Sequence, residues 1–508
     1  MSNEIYFRPP WTCGKYNADK HVTIMFNTLT HCEYFFENES ADVVGSVLSA
    51  GRNGAIDVDD ISIKYNITPT AIINFFTLLQ SYGLLSYISP TKEVIKAYRE
   101  QCKQNPIAGN ITKSNVNEEI NTTARLAYIN AVKDESLIFD AVIELTYRCS
   151  EKCIHCYNPG ATRNDTESCG RGSVNELAFD DYKRIIDELY EAGVVMVELT
   201  GGDPFSNKYA WDIIDYLYKK DIAIRILTNG QSLVGKEERL AFYYPFEVQF
   251  SVYSAIPDVH DGITRTKGSW EKTMNVMKAL HELSVPLDIA CPLMQPNLKS
   301  YRGIKEIAEN LGATIGVDVK ITDAIDGDKC PTRYLRLTPE QLEVVLLDDT
   351  VLMNVSKNEI LAIEKKHGII HDATPCNAAI NVFCINPNGD LTPCSSFHFV
   401  LGNLKNTSFR NIVSGNKNID WWKNIKASQY EECYTHDYCD YCVLCAGNNF
   451  NATGSVLKAG ENNCYIAKVR HSLAMKIKEN KDILTGKTID EKIEELNTKV
   501  VFLRKTYK

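Results

Sequence analysis

The chain has 508 residues, enough for two to four domains with a substantial core. Hydrophobic residues make up 44% and the net charge is −10, so the composition is that of an ordinary soluble protein without a broad basic face. We therefore expect no nucleic-acid partner. Because no run of about eighteen apolar residues occurs and the N-terminus has no basic segment leading into an apolar one, we expect no membrane span, no secretory signal and a cytoplasmic location.

Seventeen cysteines are the unusual feature of the composition. The odd total, the absence of an export signal and the dense group between Cys376 and Cys464 argue against a disulfide framework. In a reducing cytoplasm, metal binding is the better explanation for so many thiols.

Residues 1–90 are predicted to form a separate domain. Two strands, His21–Phe26 and Cys32–Glu37, are followed by three helices. The predicted helices cover Ser40–Ala50, Asp59–Tyr65 and Pro69–Tyr82. This order of elements predicts a winged-helix-like fold.

DNA binding is the usual role of a winged helix, and it requires a basic recognition helix. The segment Ile61–Tyr82 offers only Lys64 as a basic residue, and acidic residues lie just before it. DNA binding is therefore a remote alternative. Residues 91–137, helical and then polar, are predicted to be a bridging linker.

Residues 138–335 repeat a strand–loop–helix pattern six times. The predicted strands are Phe139–Thr146, Val194–Thr200, Ile222–Thr228, Glu247–Tyr253, Leu287–Pro292 and Thr314–Ile321. Amphipathic helices such as Asp180–Glu191 and Trp270–Leu283 separate them. This alternation indicates an α/β fold with parallel strands and outer helices, a partial (β/α)6 barrel. Active sites of such barrels lie at the carboxyl ends of the strands.

A cysteine loop directly follows the first of these strands. Cys149, Cys153 and Cys156 have the spacing C-x3-C-x2-C. Three thiolates can hold a [4Fe–4S] cluster and leave its fourth iron open for a small molecule. A zinc site is the alternative, but His155 lies directly beside Cys156, too close for an easy shared tetrahedron.

The cysteine loop, with aromatic Tyr157 after its last cysteine, resembles the signature of the radical S-adenosylmethionine (SAM) superfamily. The resemblance implies that the open iron chelates SAM and that an electron from the cluster generates a 5′-deoxyadenosyl radical. It also implies SAM contacts: Tyr157 with the adenine, Gly201, Gly202, Asp203 and Pro204 with the amino group, Ser251 with the ribose, and Arg265 with the carboxylate. Asp203 stands where glutamate is more frequent in the family.

Residues 336–470 contain a second cysteine pattern. Cys376 and Cys394 flank a predicted hairpin turn at residues 386–389 in the spacing C-x12-G-x4-C. This resembles the opening of the SPASM domain and implies two auxiliary [4Fe–4S] clusters, three clusters in all. The implied ligands are Cys376, Cys394, Cys433, Cys439, Cys442, Cys445 and Cys464.

Two clusters need eight ligands, and this set supplies seven. Either one auxiliary cluster has an open iron, which could coordinate a substrate thiolate, or Cys384 is the eighth ligand. The central spacing C-x5-C-x2-C-x2-C departs from the usual run of the family, so the distribution of ligands between the clusters stays open. Residues 471–508 are predicted to form a solvated helical tail.

In front of a radical enzyme, residues 1–90 resemble the leader-peptide recognition element of maturases of ribosomally made peptides. There an extended leader adds a strand to a sheet edge. The resemblance implies a radical SAM oxidoreductase that modifies a precursor peptide, with a thioether cross-link as the leading hypothesis and flavodoxin or ferredoxin as electron donor. The alternatives are carbon–carbon or ether cross-linking, a sulfatase-maturase-like protein dehydrogenase, and a DNA-binding iron–sulfur redox regulator.

Overall fold

The computed structural model describes residues 4–104, 115–133, 138–158, 175–323, 330–348, 376–426, 429–430, 432–433 and 435–496. Within these residues the strands form sheets of two, three and nine strands. In the described part of the chain, no helix combines the length and the apolar character needed to cross a membrane.

The N-terminal part combines two small sheets with five helices. Its elements are β1 (Ile5–Phe7), β2 (Thr12–Asn17), β3 (Val22–Asn27), β4 (Cys32–Glu37), α1 (Asn38–Ser49), β5 (Ala55–Asp57), α2 (Val58–Tyr65), α3 (Pro69–Ser81), α4 (Lys92–Gln104) and α5 (Asn115–Val132). Strands β2, β3 and β4 form an antiparallel sheet in that order, and β1 pairs with β5. The two predicted strands and three predicted helices are confirmed. Strand β2 was missed because Gly14 and Asn17 are poor strand formers.

The central part is the predicted series of strands and helices. Its elements are β6 (Asp140–Thr146), α6 (Phe179–Glu191), β7 (Met196–Gly201), α7 (Ala210–Lys219), β8 (Ala223–Thr228), α8 (Glu237–Phe242), β9 (Glu247–Ser251), α9 (Pro257–Thr264), α10 (Ser269–Glu282), β10 (Leu287–Pro292), α11 (Ile304–Leu311) and β11 (Thr314–Asp318). Strands β6 to β11 are all parallel and lie in sequence order. All six predicted strands are therefore confirmed.

The C-terminal part extends the central sheet. Its elements are α12 (Cys330–Leu335), α13 (Pro339–Val345), β12 (Val382–Ile385), β13 (Asp390–Thr392), β14 (Gly402–Asn403), α14 (Phe409–Val413), α15 (Lys417–Lys423), α16 (Ala446–Thr453), α17 (Glu461–Lys478) and α18 (Ile489–Glu495). The hairpin of β12 and β13 was predicted, but its place was not: β12 pairs in parallel with β6. The sheet therefore continues from the barrel into the cysteine-rich part.

The two faces of the barrel sheet differ in polarity. Apolar residues such as Ile143, Leu199 and Phe250 are fully buried in the main hydrophobic core. The alternate positions carry polar residues that contact one another across the strands. Gln249 donates to Asp288 Oδ2 at 2.6 Å, and Arg225 pairs with Glu247 at 3.0 Å. A polar interior is typical of a barrel that binds a ligand rather than filling its centre with side chains.

Helix α5, within the predicted linker, is a packed structural element. Tyr128 of α5 is buried in a cluster that joins the sheet of β2, β3 and β4 to the amino ends of the barrel strands. Arg125 of the same helix pairs with Glu33 of β4 and, at 3.2 Å, with Asp140 of β6. Arg8 adds two hydrogen bonds to Asp221, at 2.7 and 2.8 Å. The N-terminal part is thus anchored to the end of the barrel opposite the cysteine loop.

The predictions for the last third hold in part. Helix α13 precedes the cysteine-rich part, and residues 349–375 lie outside the described residues. Within the described part of the tail, residues 471–496, α17 ends at Lys478 and α18 covers Ile489–Glu495, so this part is largely helical as predicted, but it is not simply solvated. Ile493 and Leu496 are 4% and 5% exposed and belong to the main core. The alternating lysines and glutamates around them obscured this apolar contact in the sequence.

Candidate active site

The cysteine loop lies at the carboxyl end of β6, where a barrel of this type places its active site. Two backbone hydrogen bonds hold it against the end of α9. Lys152 N donates to Thr264 O at 2.9 Å, and Ile154 N donates to Ile263 O at 3.0 Å. The side chain of Ile154 is buried beneath the loop. The loop is therefore positioned from both sides before any cofactor binds.

The three predicted thiols lie together in this loop. Burial raises the pKa of Cys149 and of Cys153, and the neighbouring thiol of Cys156 raises both further. Among the described residues, no three histidine, cysteine, aspartate or glutamate side chains converge on a single metal ion. Each cysteine of a [4Fe–4S] cluster binds its own iron, so three neighbouring thiols can hold three irons of such a cluster. His155 packs edge-on against Tyr253, with ring centroids 4.8 Å apart, instead of completing a zinc site.

Two polar side chains from other strand ends reach these sulfurs. Asn229 Nδ2, after β8, donates to Cys149 Sγ at 3.2 Å. The hydroxyl of Tyr253, after β9, lies 3.7 Å from Cys153 Sγ. Neither was predicted as a site residue, because a contact from a different strand end leaves no spacing signal next to the cysteines.

The predicted glycine-rich stretch packs directly on the cysteine loop. Gly202 N donates to Thr146 O at 2.6 Å, and Asp203 N donates to Arg148 O at 2.9 Å. A Cβ atom at Gly202 would lie 2.3 Å from Arg148 O, far inside any real contact. The glycines are therefore required for the close approach of two backbones.

The side chain of Asp203 is turned into the protein. It is fully buried and accepts a hydrogen bond from Thr228 Oγ1 at 2.5 Å. Pro204, also buried, begins a short 3-10 turn after it. Asp203 thus links the ends of β7 and β8 through Oδ1, while its buried Oδ2 has no hydrogen-bond partner among the described residues, and its contact with the amino group of SAM stays a prediction.

The remaining predicted SAM contacts surround the same loop. Ser251 ends β9 and shares a hydrogen bond with Tyr253, the tyrosine beside Cys153. Arg265 directly follows the helix end that binds the cysteine loop, in a left-handed conformation with φ of 53°. Burial raises the pKa of Tyr157, and the charge of Glu144 raises it further, so this ring lies against the barrel interior.

The seven predicted auxiliary ligands fall into two sets. The three-cysteine set consists of Cys376, Cys394 and Cys445. Burial raises the pKa of Cys394 to about 11, with further contributions from Cys445 and Cys376. The backbone explains the proximity: Ala379 N donates to Pro393 O at 3.2 Å, and a Cβ at Gly447 would lie 2.5 Å from Ser396 O.

The four-cysteine set lines one cavity. It consists of Cys433, Cys439, Cys442 and Cys464. Burial raises the pKa of Cys433 to about 12, and the thiols of Cys442, Cys464 and Cys439 raise it further. Four thiols around one cavity satisfy the ligand requirement of a complete [4Fe–4S] cluster.

Cys384 lies apart from both sets. It is fully buried in β12, and its thiol lies 3.8 Å from Asn386 Oδ1. Burial raises the pKa of Cys384, followed by the charges of Glu144 and then Cys394. Its principal charged neighbour is thus a barrel carboxylate, with only one cysteine of the three-cysteine set nearby.

Family models match both cysteine-rich parts of this geometry. The radical SAM superfamily model matches residues 143–294, which include the cysteine loop and the glycine-rich stretch. The SPASM model, described as an iron–sulfur cluster-binding domain, matches residues 376–445. The chain carries a radical SAM domain and a SPASM domain.

Several known proteins are similar to the chain. The antilisterial bacteriocin subtilosin biosynthesis protein AlbA of Bacillus subtilis (strain 168) is 28% identical over 65% of this chain and 71% of AlbA. Mycofactocin maturase MftC of Mycobacterium tuberculosis is 27% identical over 55% of this chain and 69% of MftC. Among solved structures, Streptococcus suis SuiB bound to S-adenosylmethionine aligns with a TM-score of 0.48 and 13% identity over 90% of this chain and 99% of SuiB.

The radical SAM domain makes the protein an enzyme that uses SAM and a [4Fe–4S] cluster, and the SPASM domain binds additional iron–sulfur clusters. The donor sets fit these groups. The radical SAM domain gathers three partly buried thiols at a strand end, and seven more thiols lie in two sets within and just after the SPASM match. Thiolate is the ligand that iron–sulfur clusters take.

We expect the hydrogen bond from Asn229 to Cys149 to affect the reduction potential of the cluster in the radical SAM domain. A hydrogen bond to a cluster sulfur favours the reduced, more negative cluster, so Asn229→Ala should lower the reduction potential by tens of millivolts. Redox titration followed by electron paramagnetic resonance measures this shift. The matched control is Gln231→Ala, whose side chain bonds Ser269 O and Thr273 at 2.9 Å, not a cysteine. An unchanged potential in the Asn229 variant would show that the contact is lost once the cluster binds.

The radical SAM domain should also be acid-sensitive because of His260. Burial lowers the pKa of His260 to about 4, well below its ordinary value. The unfolded chain therefore binds a proton below about pH 6.5 that the folded chain does not take up until about pH 4. We expect this residue to remove about 2 kcal/mol of unfolding free energy between pH 7 and pH 5. His260→Asn should reduce the pH dependence of urea unfolding by that amount.

Proposed function

We propose that this enzyme modifies a ribosomally synthesised precursor peptide, forming a thioether between a cysteine sulfur and a carbon of another residue. The observation that carries this proposal is the three-cysteine set of Cys376, Cys394 and Cys445. SAM and its cluster supply the 5′-deoxyadenosyl radical, and an auxiliary cluster with three protein thiolates keeps one iron for an outside ligand. A thiolate of the substrate suits that position because iron in such clusters prefers soft sulfur ligands.

The position of the three-cysteine set supports a shared substrate site. Cys394 follows the hairpin of β12 and β13, and β12 pairs with β6, whose end carries Cys149. The sheet itself therefore sets the separation between the three-cysteine set and the SAM-binding loop. A rigid element of this kind can hold two reacting groups of one peptide in fixed relation.

A cavity beside this set offers room for the peptide. Its volume is about 450 Å³. The lining includes Gln295 after β10, Thr322 after β11, Asn448 on α16 and Tyr465 on α17. Because Asn448 lies three residues after Cys445, this polar cavity connects the carboxyl ends of the barrel strands with the three-cysteine set. Amide and hydroxyl groups of this type bind peptide backbone without demanding one side chain.

A second cavity supports leader recognition by a winged-helix-like N-terminal domain. Strand β4 is an edge of its sheet, and no described strand pairs with its outer side. Beside it lies a cavity of about 710 Å³, with Tyr34 of β4, Thr77 of α3 and Tyr98 of α4 in its lining. Its described lining carries no charged side chain. We assign this groove to an extended leader segment that adds to β4 and places apolar side chains in the cavity.

The named relatives support a peptide substrate. They include a subtilosin biosynthesis protein, a mycofactocin maturase, the PqqA peptide cyclase of Rhodopseudomonas palustris and the sporulation killing factor maturation protein SkfB. By extension we assign this chain a cytoplasmic place in peptide maturation and an electron donor of the flavodoxin or ferredoxin class. Carbon–carbon or ether cross-linking is the nearest alternative for the bond formed.

Mass spectrometry of the reaction tests the proposal. The protein is reconstituted without oxygen and incubated with SAM, a reductant and the short peptide encoded beside its gene. We expect a peptide that has lost two hydrogens, with 5′-deoxyadenosine formed and one cysteine protected from alkylation. An alkylatable cysteine after the same mass loss would indicate carbon–carbon or ether joining, or dehydrogenation of the sulfatase-maturase kind. Deoxyadenosine with an unchanged peptide mass would contradict cross-linking.

A separate binding experiment tests the assignment of the leader groove. Thr77→Arg introduces a bulky cation into the uncharged cavity, and it should weaken binding of the fluorescently labelled peptide at least tenfold, about 1.4 kcal/mol. Ile63→Arg is the matched control because Ile63 is 81% exposed on α2 and does not line the cavity. Equal affinities of the two variants would remove the leader assignment and leave the chemistry of the radical SAM domain untouched.

A further inference from the structure

Glu144 is a carboxylate in the interior of the barrel with no assigned role. It lies on β6, shortly before the cysteine loop, and it pairs in register with Thr200, next to the glycine-rich stretch. Its side chain is only 2% exposed. Glu144 therefore lies just below the loops that surround the SAM-binding site.

Only one of the two carboxylate oxygens of the buried Glu144 side chain has a hydrogen-bond partner among the described residues. Oε2 accepts a hydrogen bond from the hydroxyl of Tyr147 at 3.1 Å, whereas Oε1 is buried with no hydrogen-bond partner. In the part of the chain that the structure describes, no arginine, lysine or histidine forms an ion pair with it. An uncompensated buried carboxylate is unfavourable by several kcal/mol, so its retention points to a role in chemistry.

The neighbours of Glu144 belong to both reaction centres. Its charge is the first electrostatic influence on Tyr157, which follows Cys156 of the SAM-binding loop. It is likewise the first electrostatic influence on Cys384, on the strand that leads to Cys394 of the three-cysteine set. Glu144 thus lies on the strand that leads into the SAM-binding loop, and the paired strand β12, with Cys384 opposite Val142, leads to Cys394 through the β12–β13 hairpin.

Burial also changes the pKa of the Glu144 carboxyl group. It raises the pKa of Glu144 to about 7, while the hydrogen bond from Tyr147 lowers it. A carboxylate of this kind can take a proton and release it again at neutral pH. The titratable groups that it influences are Tyr147, Tyr157 and Cys384.

We propose that Glu144 is the proton acceptor of the cross-linking reaction. The inference rests on the proposed thioether chemistry. One substrate carbon loses a hydrogen atom to the deoxyadenosyl radical, and the substrate thiol loses its proton to Glu144. The carbon–sulfur bond then forms, and the one electron left over passes to the auxiliary cluster. Carbon–hydrogen and sulfur–hydrogen bonds break, a carbon–sulfur bond forms, and atoms and electrons balance.

Glu198 provides a matched comparison. It lies on the neighbouring strand β7 and also faces the barrel interior, but its Oε2 lies 3.8 Å from Arg225 Nη1. Burial raises the pKa of Glu198, and the charge of Arg225 opposes that rise. A carboxylate with a permanent cation beside it is a poorer proton acceptor. Glu198 is therefore the control for general effects of removing a barrel carboxylate.

The decisive experiment compares Glu144→Gln with Glu198→Gln. With a peptide deuterated at the reacting carbon, Glu144→Gln should still transfer deuterium to deoxyadenosine within about twofold of the wild-type rate, because hydrogen abstraction needs no base. Cross-linked product should fall at least 100-fold, the usual contribution of a positioned base. Glu198→Gln should cross-link within a few-fold of wild type, and Glu144→Asp should recover part of the product. A parallel loss of deuterium transfer and product in Glu144→Gln would overturn the proposal.

Thermal unfolding of the reconstituted, cluster-loaded protein in the absence of oxygen supplies a readout independent of activity. Removing a buried carboxylate that lacks a partner should leave the unfolding midpoint unchanged or raise it. A fall of several degrees for Glu144→Gln would show a structural role and overturn the proposal. If wild-type protein forms deoxyadenosine without cross-linking, the proposed function fails and this inference falls with it. If wild type and Glu144→Gln cross-link equally, only the assignment of Glu144 fails.

Discussion

Gly202→Ala should reduce deoxyadenosine formation about 100-fold or more. The added Cβ would lie 2.3 Å from Arg148 O and 2.6 Å from Tyr147 O, both backbone atoms that cannot rotate away. The glycine-rich stretch and the cysteine loop would have to separate by roughly 1 Å, which would break the hydrogen bond from Gly202 N to Thr146 O. A displacement of that size at a reacting centre is enough for a 100-fold loss of rate.

Gly316→Ala is the matched control for this prediction. Gly316 lies on β11 of the same barrel, and a Cβ there would meet nothing closer than Ile289 O at 3.9 Å. Iron and sulfide content, absorbance of the reconstituted cluster and the rate of deoxyadenosine formation are measured for both variants. If Gly202→Ala binds its cluster and cleaves SAM as Gly316→Ala does, the two loops have more freedom than their contacts imply.

Arg125→Met should lower the unfolding free energy by about 3 kcal/mol, the usual penalty for leaving a buried charge without its partner. Glu33 is 2% exposed and pairs with Arg125, and Arg125 also contacts Asp140 at the start of β6. Methionine keeps the packing that the arginine stem makes near Phe139 but removes the charge. The loss should therefore appear as weaker attachment of the N-terminal part to the barrel.

Two further variants identify the cause of that loss. Lys219→Met removes an exposed partner of Asp215 and should leave the unfolding free energy nearly unchanged, because exposed ion pairs contribute little. In the double variant Arg125→Met with Glu33→Gln, both charges are absent, so much of the stability should return. Urea unfolding followed by fluorescence measures all of these. A double variant no more stable than Arg125→Met alone would assign the loss to packing.

The features that the sequence predicted are those set by neighbouring residues. The six barrel strands follow from runs of apolar residues at regular distance, and the cysteine loop follows from the spacing of Cys149, Cys153 and Cys156. The N-cap of α3 also depends on neighbouring residues only: the Thr68 hydroxyl accepts a hydrogen bond from Ala71 N at the predicted helix start. Such signals extend over a few residues and can be recognised without knowledge of the fold.

The features that could not be predicted depend on distant contacts. Cys445 is close in sequence to Cys442, yet the two belong to different sets because Gly447 brings the start of α16 against Ser396. Asn229 reaches Cys149 only because two strand ends are neighbours in the sheet. The pairing of β12 with β6 had no sequence signal, since an apolar strand does not specify its partner.

The pairing of β12 with β6 affects how the chain folds during its synthesis. Strand β6 carries the SAM-binding loop, and its neighbour β12 lies far along the chain, pairing Asp140 with Val382. During synthesis β6 therefore remains an unprotected edge until the C-terminal third has left the ribosome, and contacts of such long sequence separation form slowly. A chain truncated before β12 should aggregate rather than yield a smaller working enzyme. The strand that leads into the SAM-binding loop therefore gains its second neighbour only from the last third of the chain.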